Sequence, residues 1–437
     1  PRSTLFPYTT LFRSAYLIAD ESDKILAKGQ EELRIALNKM PVTQQLIDRF
    51  EKEKPFKGIV ISACLHVTKE TANLCRALKA VGAEVYLSGS NPLSTQDYTA
   101  TALAAEGIHV FAWTGNTSKE FYECLDECLK PKPNIIIDDG ADLIVTAHQK
   151  FPEFFKEDGC IIACQEETTT GVHRFEAMDK AGALKTALFP VNDASCKNEF
   201  DNELGTGQGV VAAIYGMHVL FAGKVVVVAG YGHCSAGMAL RARGLGARVI
   251  VTEVDPVKAL KAVYAGYEVV PMHDVISQAD MIFTATGCKN VVCTEHISKL
   301  KNGCILANLG HFDIEIMAKD LYAAAGKNVR TIRPNVEELT LPTGNKVYLL
   351  AQGRLANLAI SEGHPSEVMD MSFGLQGMVA EYIVKNRADL KKKKGMLKVP
   401  EDINNAVAFA KLESMGIKID KWTEEQYKYV HGFEEGT

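Results

Sequence analysis

Two groups of titratable side chains have the composition of a proton-transfer site. The first is Asp138-Asp-Gly-Ala-Asp142, three carboxylates in five residues directly after the apolar run Asn134 to Ile137. Apolar residues lie on both sides, so one of the three is expected to enter a crevice, where burial raises a carboxyl toward the range useful for moving protons at neutral pH. The second is Lys197 with Asp201-Asn202, in which lysine and aspartate are four apart and would share one face of a helix. Two further strings carry similar chemistry. His66 ends the apolar run Gly58 to Cys64 and leads into Thr68, Glu70 and Thr71, while Glu166-Glu-Thr-Thr-Thr-Gly-Val-His173 sets paired carboxylates before Thr168, Thr169 and Thr170. Each string also has a plainer reading: a solvated acidic loop, an exposed ion pair, a structural histidine, a helix cap.

The elements that must position these groups are most legible from Lys224 to Asp255. Val225 to Ala229 reads as a strand buried on both faces, and Gly230-Tyr231-Gly232 turns the chain into a helix starting near Cys234. A second strand, Ala247 to Thr252, ends at Glu253, a carboxylate placed to accept both hydroxyls of an adenosine ribose and to repel a 2′-phosphate. The pattern is a dinucleotide site of the NAD rather than the NADP kind. Its third glycine is replaced by Ser235, with Gly237 two positions later.

Upstream, Lys28 to Phe50 has helical periodicity, and strands are expected at Gly58 to Cys64, Ala83 to Leu87, Ile108 to Ala112 and Asn134 to Ile137, with helices between them. Such alternation predicts a parallel sheet covered on both faces. Strands at Met281 to Ala285, Gly303 to Ala307 and Lys346 to Leu350 continue it past the glycine motif, and Asn308-Leu-Gly-His311 forms a loop at a strand end. Arg354 to Asn357 returns the chain to the first domain, where Pro365 to Val384 is a helix whose apolar face includes Met369 and Phe373. The fold class is therefore α/β, with two doubly wound parallel-sheet domains joined by a hinge and a small helical C-terminal segment. The boundaries read as 16–202 with 358–395, 203–357, and 396–437. The first fifteen residues, PRSTLFPYTTLFRSA, read as an adapter-like leader unrelated to the fold.

A net charge of −6 over 437 residues argues against a nucleic-acid or membrane-surface partner, and no apolar run approaches membrane-spanning length. Eleven cysteines, an odd number set mostly in apolar segments, suit buried thiols in a cytoplasmic protein. The CxxxC pairs Cys124/Cys128 and Cys160/Cys164 lack a second pair at zinc spacing, so no metal site is expected.

Taken in order, His66-x-Thr68-x-Glu70-Thr71, Asp138 to Asp142, Glu166 to Val172, Lys197-x-x-x-Asp201-Asn202, Gly230-Tyr-Gly232, Ala307 to Phe312, Gly353 to Asn357 and Gly363-His-Pro365 resemble the S-adenosyl-L-homocysteine hydrolase family in its shorter bacterial and archaeal form. The resemblance runs from Met40 to about Tyr429. It implies reversible hydrolysis of S-adenosylhomocysteine to adenosine and homocysteine, with bound NAD oxidising and later re-reducing the sugar. By the same resemblance Lys197, helped by Asp201 and Glu167, deprotonates the 3′-hydroxyl; Asp139 and His66 serve the 4′ hydrogen, the sulfur and the water; His311 is positional. Thr68, Glu70, Thr71, His364, Met369 and Phe373 match the substrate side. Thr168, Thr169, Thr170, Asn202, Gly230, Gly232, Glu253, Asn308 and Asn357 match the cofactor side. Glu70, as an acceptor, favours adenine over hypoxanthine. The family also implies a homotetramer; longer members carry a tail with a lysine- and tyrosine-containing motif, which the ending HGFEEGT lacks. Two other functions stay open on the residues alone: a net NAD-dependent dehydrogenase, and a non-catalytic NAD-binding relative that docks a partner protein.

Overall fold

The computed structural model describes residues 19–50 and 53–433; the leader expected over 1–15 lies outside them. The stretch read as one helical run is two helices, Ala19–Leu37 and Pro41–Phe50. Pro41 cannot donate to a continuing helix and instead starts a new one at its first position. The free N–H groups of Val42 and Thr43 that result are taken by the buried Asp370 carboxylate, at 3.1 and 2.8 Å.

Six strands follow: β1 (Val60–Leu65), β2 (Glu84–Gly89), β3 (His109–Phe111), β4 (Ile135–Asp138), β5 (Ala163–Glu166) and β6 (Ala187–Pro190). The next eight are β7 (Val225–Ala229), β8 (Arg248–Thr252), β9 (Glu268–Val269), β10 (Met281–Thr284), β11 (Ile305–Asn308), β12 (Val329–Arg333), β13 (Val336–Thr340) and β14 (Lys346–Leu350), and β15 (Gly395–Met396) comes last. They make two sheets, in the orders β15-β6-β5-β4-β1-β2-β3 and β12-β13-β14-β11-β10-β7-β8-β9. The first is parallel throughout. The second departs from the expectation of a purely parallel sheet, because β12 and β13 join β14 as an antiparallel meander at its edge.

Both sheets bury both faces, as helix-covered parallel sheets must. Alternate residues of β1 show it: Ile61, Ala63 and Leu65 join one apolar cluster, and Cys64 joins the cluster on the opposite face. In each sheet the chain reverses its winding at one place, between β1 and β4 in the first and between β7 and β10 in the second. Loops at such points splay apart at the C-terminal ends of the strands and leave a crevice. The helix Ser366–Lys385, at the position expected, packs on the first sheet's side with Phe373, Leu375, Val379 and Ile383 in its core. Helices Glu401–Ser414 and Glu424–His431 end the described chain; the first buries Ile403 and Val407 in that same core. No described helix is long and apolar enough to cross a membrane.

Candidate active site

The two crevices open on one cavity of about 1090 Å³, lined from the first sheet's side by His66, Asp139 and Glu167, from the second by Gly230, Glu253 and His311, and between them by Lys197. Of the site residues expected from sequence, Asn308 alone is not on its wall. Asn308 is fully buried and its amide is spent on neighbours, donating to Gly310, Phe312 and Gly353 carbonyls and accepting from Gly310 N and Thr284 Oγ1. At the last position of β11 its side chain turns under the following loop and shapes it.

Lys197 ends a one-turn helix, Ser195–Lys197, that runs into a π-helical segment, Asn198–Gly205. The wider turn keeps positions 197 and 201 together: Lys197 Nζ is 3.0 Å from Asp201 Oδ2, 3.6 Å from Glu167 Oε1 and 2.5 Å from Asn202 Oδ1. All three charged groups are buried, so the exposed-pair reading fails. Burial alone would push the lysine down, but the Asp201 and Glu167 carboxylates outweigh it and hold the ammonium above its usual range. Asp201, also penalised by burial, is held below the carboxylate range by Lys197 and His364. Glu167 goes the other way: burial raises it to about 7 despite Lys197. It accepts from Ser372 Oγ and, at 2.6 Å, from Gln376 Nε2. Those two partners stand four apart on the helix Ser366–Lys385, and their polarity on an otherwise apolar face is the signal that could have found them.

Of the three carboxylates in the acidic string, Asp139 alone lines the cavity, and Asp138 is also buried. Asp138 accepts from Ile144 N, in the first turn of the helix Asp142–Lys150, at 2.7 Å, and burial lifts it to about 8. Asp139 points into the cavity between two imidazoles, with His66 Nε2 3.4 Å from Oδ2 and His311 Nδ1 3.5 Å from Oδ1. Burial raises Asp139 against the pull of His311 and Lys197. It depresses His66 to about 3 and His311 to about 4, so both rings are neutral at pH 7. Asp142 is left to pair with Arg174 at 2.7 Å, and Arg174 also donates to Gly140 O and lies 5.7 Å from the Phe312 ring centroid.

Beneath this loop lies Glu166, a neighbour of Glu167 with a different task. Its carboxylate accepts from Gly140 N at 2.9 Å, Ala141 N at 3.1 Å and Thr168 N at 2.9 Å. Ala141 has φ of 72°, a left-handed backbone that costs a residue with a Cβ about 1–2 kcal/mol. The Glu166 hydrogen bonds hold it there. Gly140, at φ 104°, has room for no side chain, since a Cβ would stand 2.2 Å from His311 Nε2.

On the cofactor side Gly232 heads the helix His233–Gly244, and a Cβ there would meet no protein atom within 4 Å. The first amides of a helix have no partner within it, and here they face an open space suited to a pyrophosphate. Ser235 does not spoil the turn: it is fully buried and its hydroxyl donates to Ala285 O at 3.0 Å, tying the helix to the end of β10. Glu253 accepts from Tyr231 N, Val254 N and Asp255 N at 2.7, 2.7 and 3.0 Å. The carboxylate still has lone pairs for ribose hydroxyls. Asn357 is buried with Oδ1 unpartnered, an orphan that a carboxamide amine would satisfy. An NAD molecule therefore fits the donors and acceptors present.

The opposite end of the cavity carries Thr68, Glu70, Thr71, Met369 and Phe373. Thr68 caps the helix Lys69–Ala80, and Glu70, almost wholly buried, accepts from Ser366 Oγ at 2.6 Å. Burial raises Glu70 while Ser366 works to lower it. His364 links the halves: Nδ1 bonds Asp201 and Nε2 accepts from Asn357 Nδ2 at 2.7 Å.

The descriptions of known proteins agree with this arrangement. Residues 203–363 match the model of the S-adenosyl-L-homocysteine hydrolase NAD binding domain, and residues 15–158 match that of S-adenosyl-L-homocysteine hydrolase. An adenosylhomocysteinase of Saccharolobus solfataricus is 50% identical over 425 residues, covering 97% of this chain and 100% of its own. One from Aquifex aeolicus is 49% identical, covering 96% and 99%. A protein named S-inosyl-L-homocysteine hydrolase, from Methanopyrus kandleri, is 46% identical, covering 97% and 98%.

Proposed function

This chain belongs to the S-adenosyl-L-homocysteine hydrolase family, and on that premise we propose how its residues divide the reaction. The protein is an NAD-dependent enzyme that reversibly hydrolyses S-adenosyl-L-homocysteine to adenosine and L-homocysteine. A thioether sulfur on the 5′ carbon is a poor leaving group. Bound NAD supplies the reversible oxidation of the 3′ carbon to a ketone, which makes the neighbouring 4′ hydrogen acidic.

Lys197, Glu167 and Asp201 act as one base on the 3′-hydroxyl. A lysine held charged is a poor proton acceptor by itself. Glu167, lifted to about 7 and 3.6 Å away, can take the ammonium's proton as the hydroxyl's proton arrives on nitrogen. Asp201 keeps the nitrogen in place. Asp139 and His66 exchange protons with the 4′ carbon, the departing sulfur and the incoming water, and neutral His66 has the capacity to accept. Asn202 and Thr168 to Thr170 lie between the two halves of the cavity, where sugar and nicotinamide must meet. Glu70 reads the exocyclic amine of adenine. A hypoxanthine carbonyl there would face an acceptor, and so we assign adenosine, not inosine, as the nucleoside.

The observation that carries this reading is the buried Lys197–Asp201–Glu167 cluster in the same cavity as the Gly230–Gly232 turn. A net dehydrogenase has no need of the second acid–base set at Asp139 and His66, and a docking module needs neither. Substituting Lys197→Met tests it: turnover should disappear while NAD is retained, and unchanged turnover would sink the assignment.

We take the chain to cross between the two domains at 202–203 and 357–358, and the hinge to lie there. We also take the enzyme to be a cytoplasmic homotetramer of the methyl cycle. Apolar side chains on one helix, with Val257 and Tyr264 73% and 88% exposed, support burial against another subunit.

A further inference from the structure

We propose that Ser94 is a positioning residue that fixes the tautomer of His66, leaving Nε2 as the bare nitrogen that exchanges protons with the substrate. The inference rests on the assignment of His66 to acid–base chemistry and adds to it the group that makes the ring a base on the correct side.

Ser94 lies in the loop after β2, and it is buried behind the His66 ring without lining the cavity. Its Oγ is 2.6 Å from His66 Nδ1 and 3.2 Å from the carbonyl oxygen of Asn91. A hydroxyl has one proton and two lone pairs, and a peptide carbonyl can only accept. With the serine proton directed to Asn91 O, the group facing Nδ1 is a lone pair, so Nδ1 carries the ring proton. A neutral imidazole has only one, which leaves Nε2 bare.

The far side of the ring agrees. His66 Nε2 is 3.4 Å from Asp139 Oδ2. A neutral ring N–H that donates to a carboxylate oxygen closes to about 2.7–3.2 Å. The longer separation is that of a nitrogen with no proton to give. Burial, the largest influence on this ring, keeps it neutral down to about pH 3, so the question of which nitrogen holds the single proton persists across the working range.

The loop is built to hold Ser94 where it is. Asn91 Oδ1 accepts from Leu93 N at 2.9 Å, a side-chain turn that sets the path of the next residues. Two residues beyond Ser94, Gln96 N donates to Val67 O at 2.9 Å and Gln96 Oε1 accepts from Lys69 N at 3.1 Å. The serine is thus pinned to the same strand end that carries His66. A polar loop with no other evident task gains one.

The test uses the NAD-loaded enzyme labelled with 15N-histidine and long-range 1H–15N correlation spectra, with the His66 signals identified by their loss in His66→Asn. Nδ1 should show the shift of a protonated ring nitrogen and Nε2 that of a bare one. The reverse pattern would mean that Ser94 donates to the ring, and it would overturn the proposal. Ser94→Ala should erase the fixed pattern and lower kcat by roughly 10²-fold, the low end of what a positioned acid or base contributes. KM and bound NAD should change little, and Ser94→Thr should restore both spectrum and rate. Full kcat with an unaltered spectrum in Ser94→Ala would also refute it. If His66→Asn itself turns over normally, the role of His66 fails, a result separable from the tautomer read in the spectra.

Discussion

His311 and Asp139 lie in loops that follow strands of different sheets, yet His311 Nδ1 stands 3.5 Å from Asp139 Oδ1 on the wall of one cavity. On the acid–base role proposed for Asp139, a side chain that follows a strand of the other sheet completes its surroundings, so proton transfer is expected to require this contact.

Gly140 is where this contact is most exposed to mutation. A Cβ on Gly140 would collide with His311 Nε2, and its φ of 104° strains any other residue. Gly140→Ala should therefore displace His311 and Asp139 and lower kcat by roughly 10²-fold, as misplacement of about 1 Å does. NAD content, measured on the denatured protein, should be unchanged because the Gly230–Gly232 turn lies elsewhere.

Glu166 holds the same loop from beneath. Glu166→Gln keeps the volume but replaces one acceptor oxygen by a donor, so at least one of the Gly140, Ala141 and Thr168 amides loses its partner. The cost should be about 1–3 kcal/mol of stability, seen as a lower Tm, together with a fall in kcat. Tm and kcat equal to the parent's would show that the loop does not need its anchor.

Base selection is expected to follow Glu70. Glu70→Gln supplies an N–H that can face a hypoxanthine carbonyl, so the ratio of kcat/KM for adenosine over inosine should drop at least about tenfold, or about 1.4 kcal/mol. Equal ratios in the two proteins would place the base elsewhere in the cavity.

Acid sensitivity carries a defined sign. His66 is depressed to about 3 in the fold against about 6.5 in the unfolded chain, so between these values the unfolded state binds the extra proton. Stability is thus lost as pH falls from about 6.5 toward 3. In His66→Asn the slope of unfolding free energy against pH should be shallower there by up to about 1.4 kcal/mol per pH unit. Identical slopes from urea unfolding at pH 4.5 and 6 would contradict the buried neutral ring.

Much of this site was legible in the residues because its parts sit at strand ends, and a buried parallel strand announces itself by composition. His66, Asp139 and Gly230 each follow such a run, and the winding of the sheets brings them together. What was missed has no such signal. Ser94 stands in a polar loop of ordinary turn composition, and β12 and β13 each carry two charged residues in five and lack the apolar run that marks a buried parallel strand. The strand-end rule says where a loop faces but not which way a side chain turns, as the inward-turned amide of Asn308 at the end of β11 illustrates. Glu166 and Glu167 were read as a pair, and only the backbone separates the one that anchors a loop from the one that meets Lys197.

The central claim is that one enzyme-bound oxidation is undone within each turnover. Purified enzyme shown to contain NAD should be mixed with adenosine and homocysteine while S-adenosylhomocysteine and absorbance in the NADH band are followed together. The account predicts product in many-fold excess over enzyme, with reduced cofactor never exceeding one per active site. NADH accumulating in step with product, or no product at all, would contradict it.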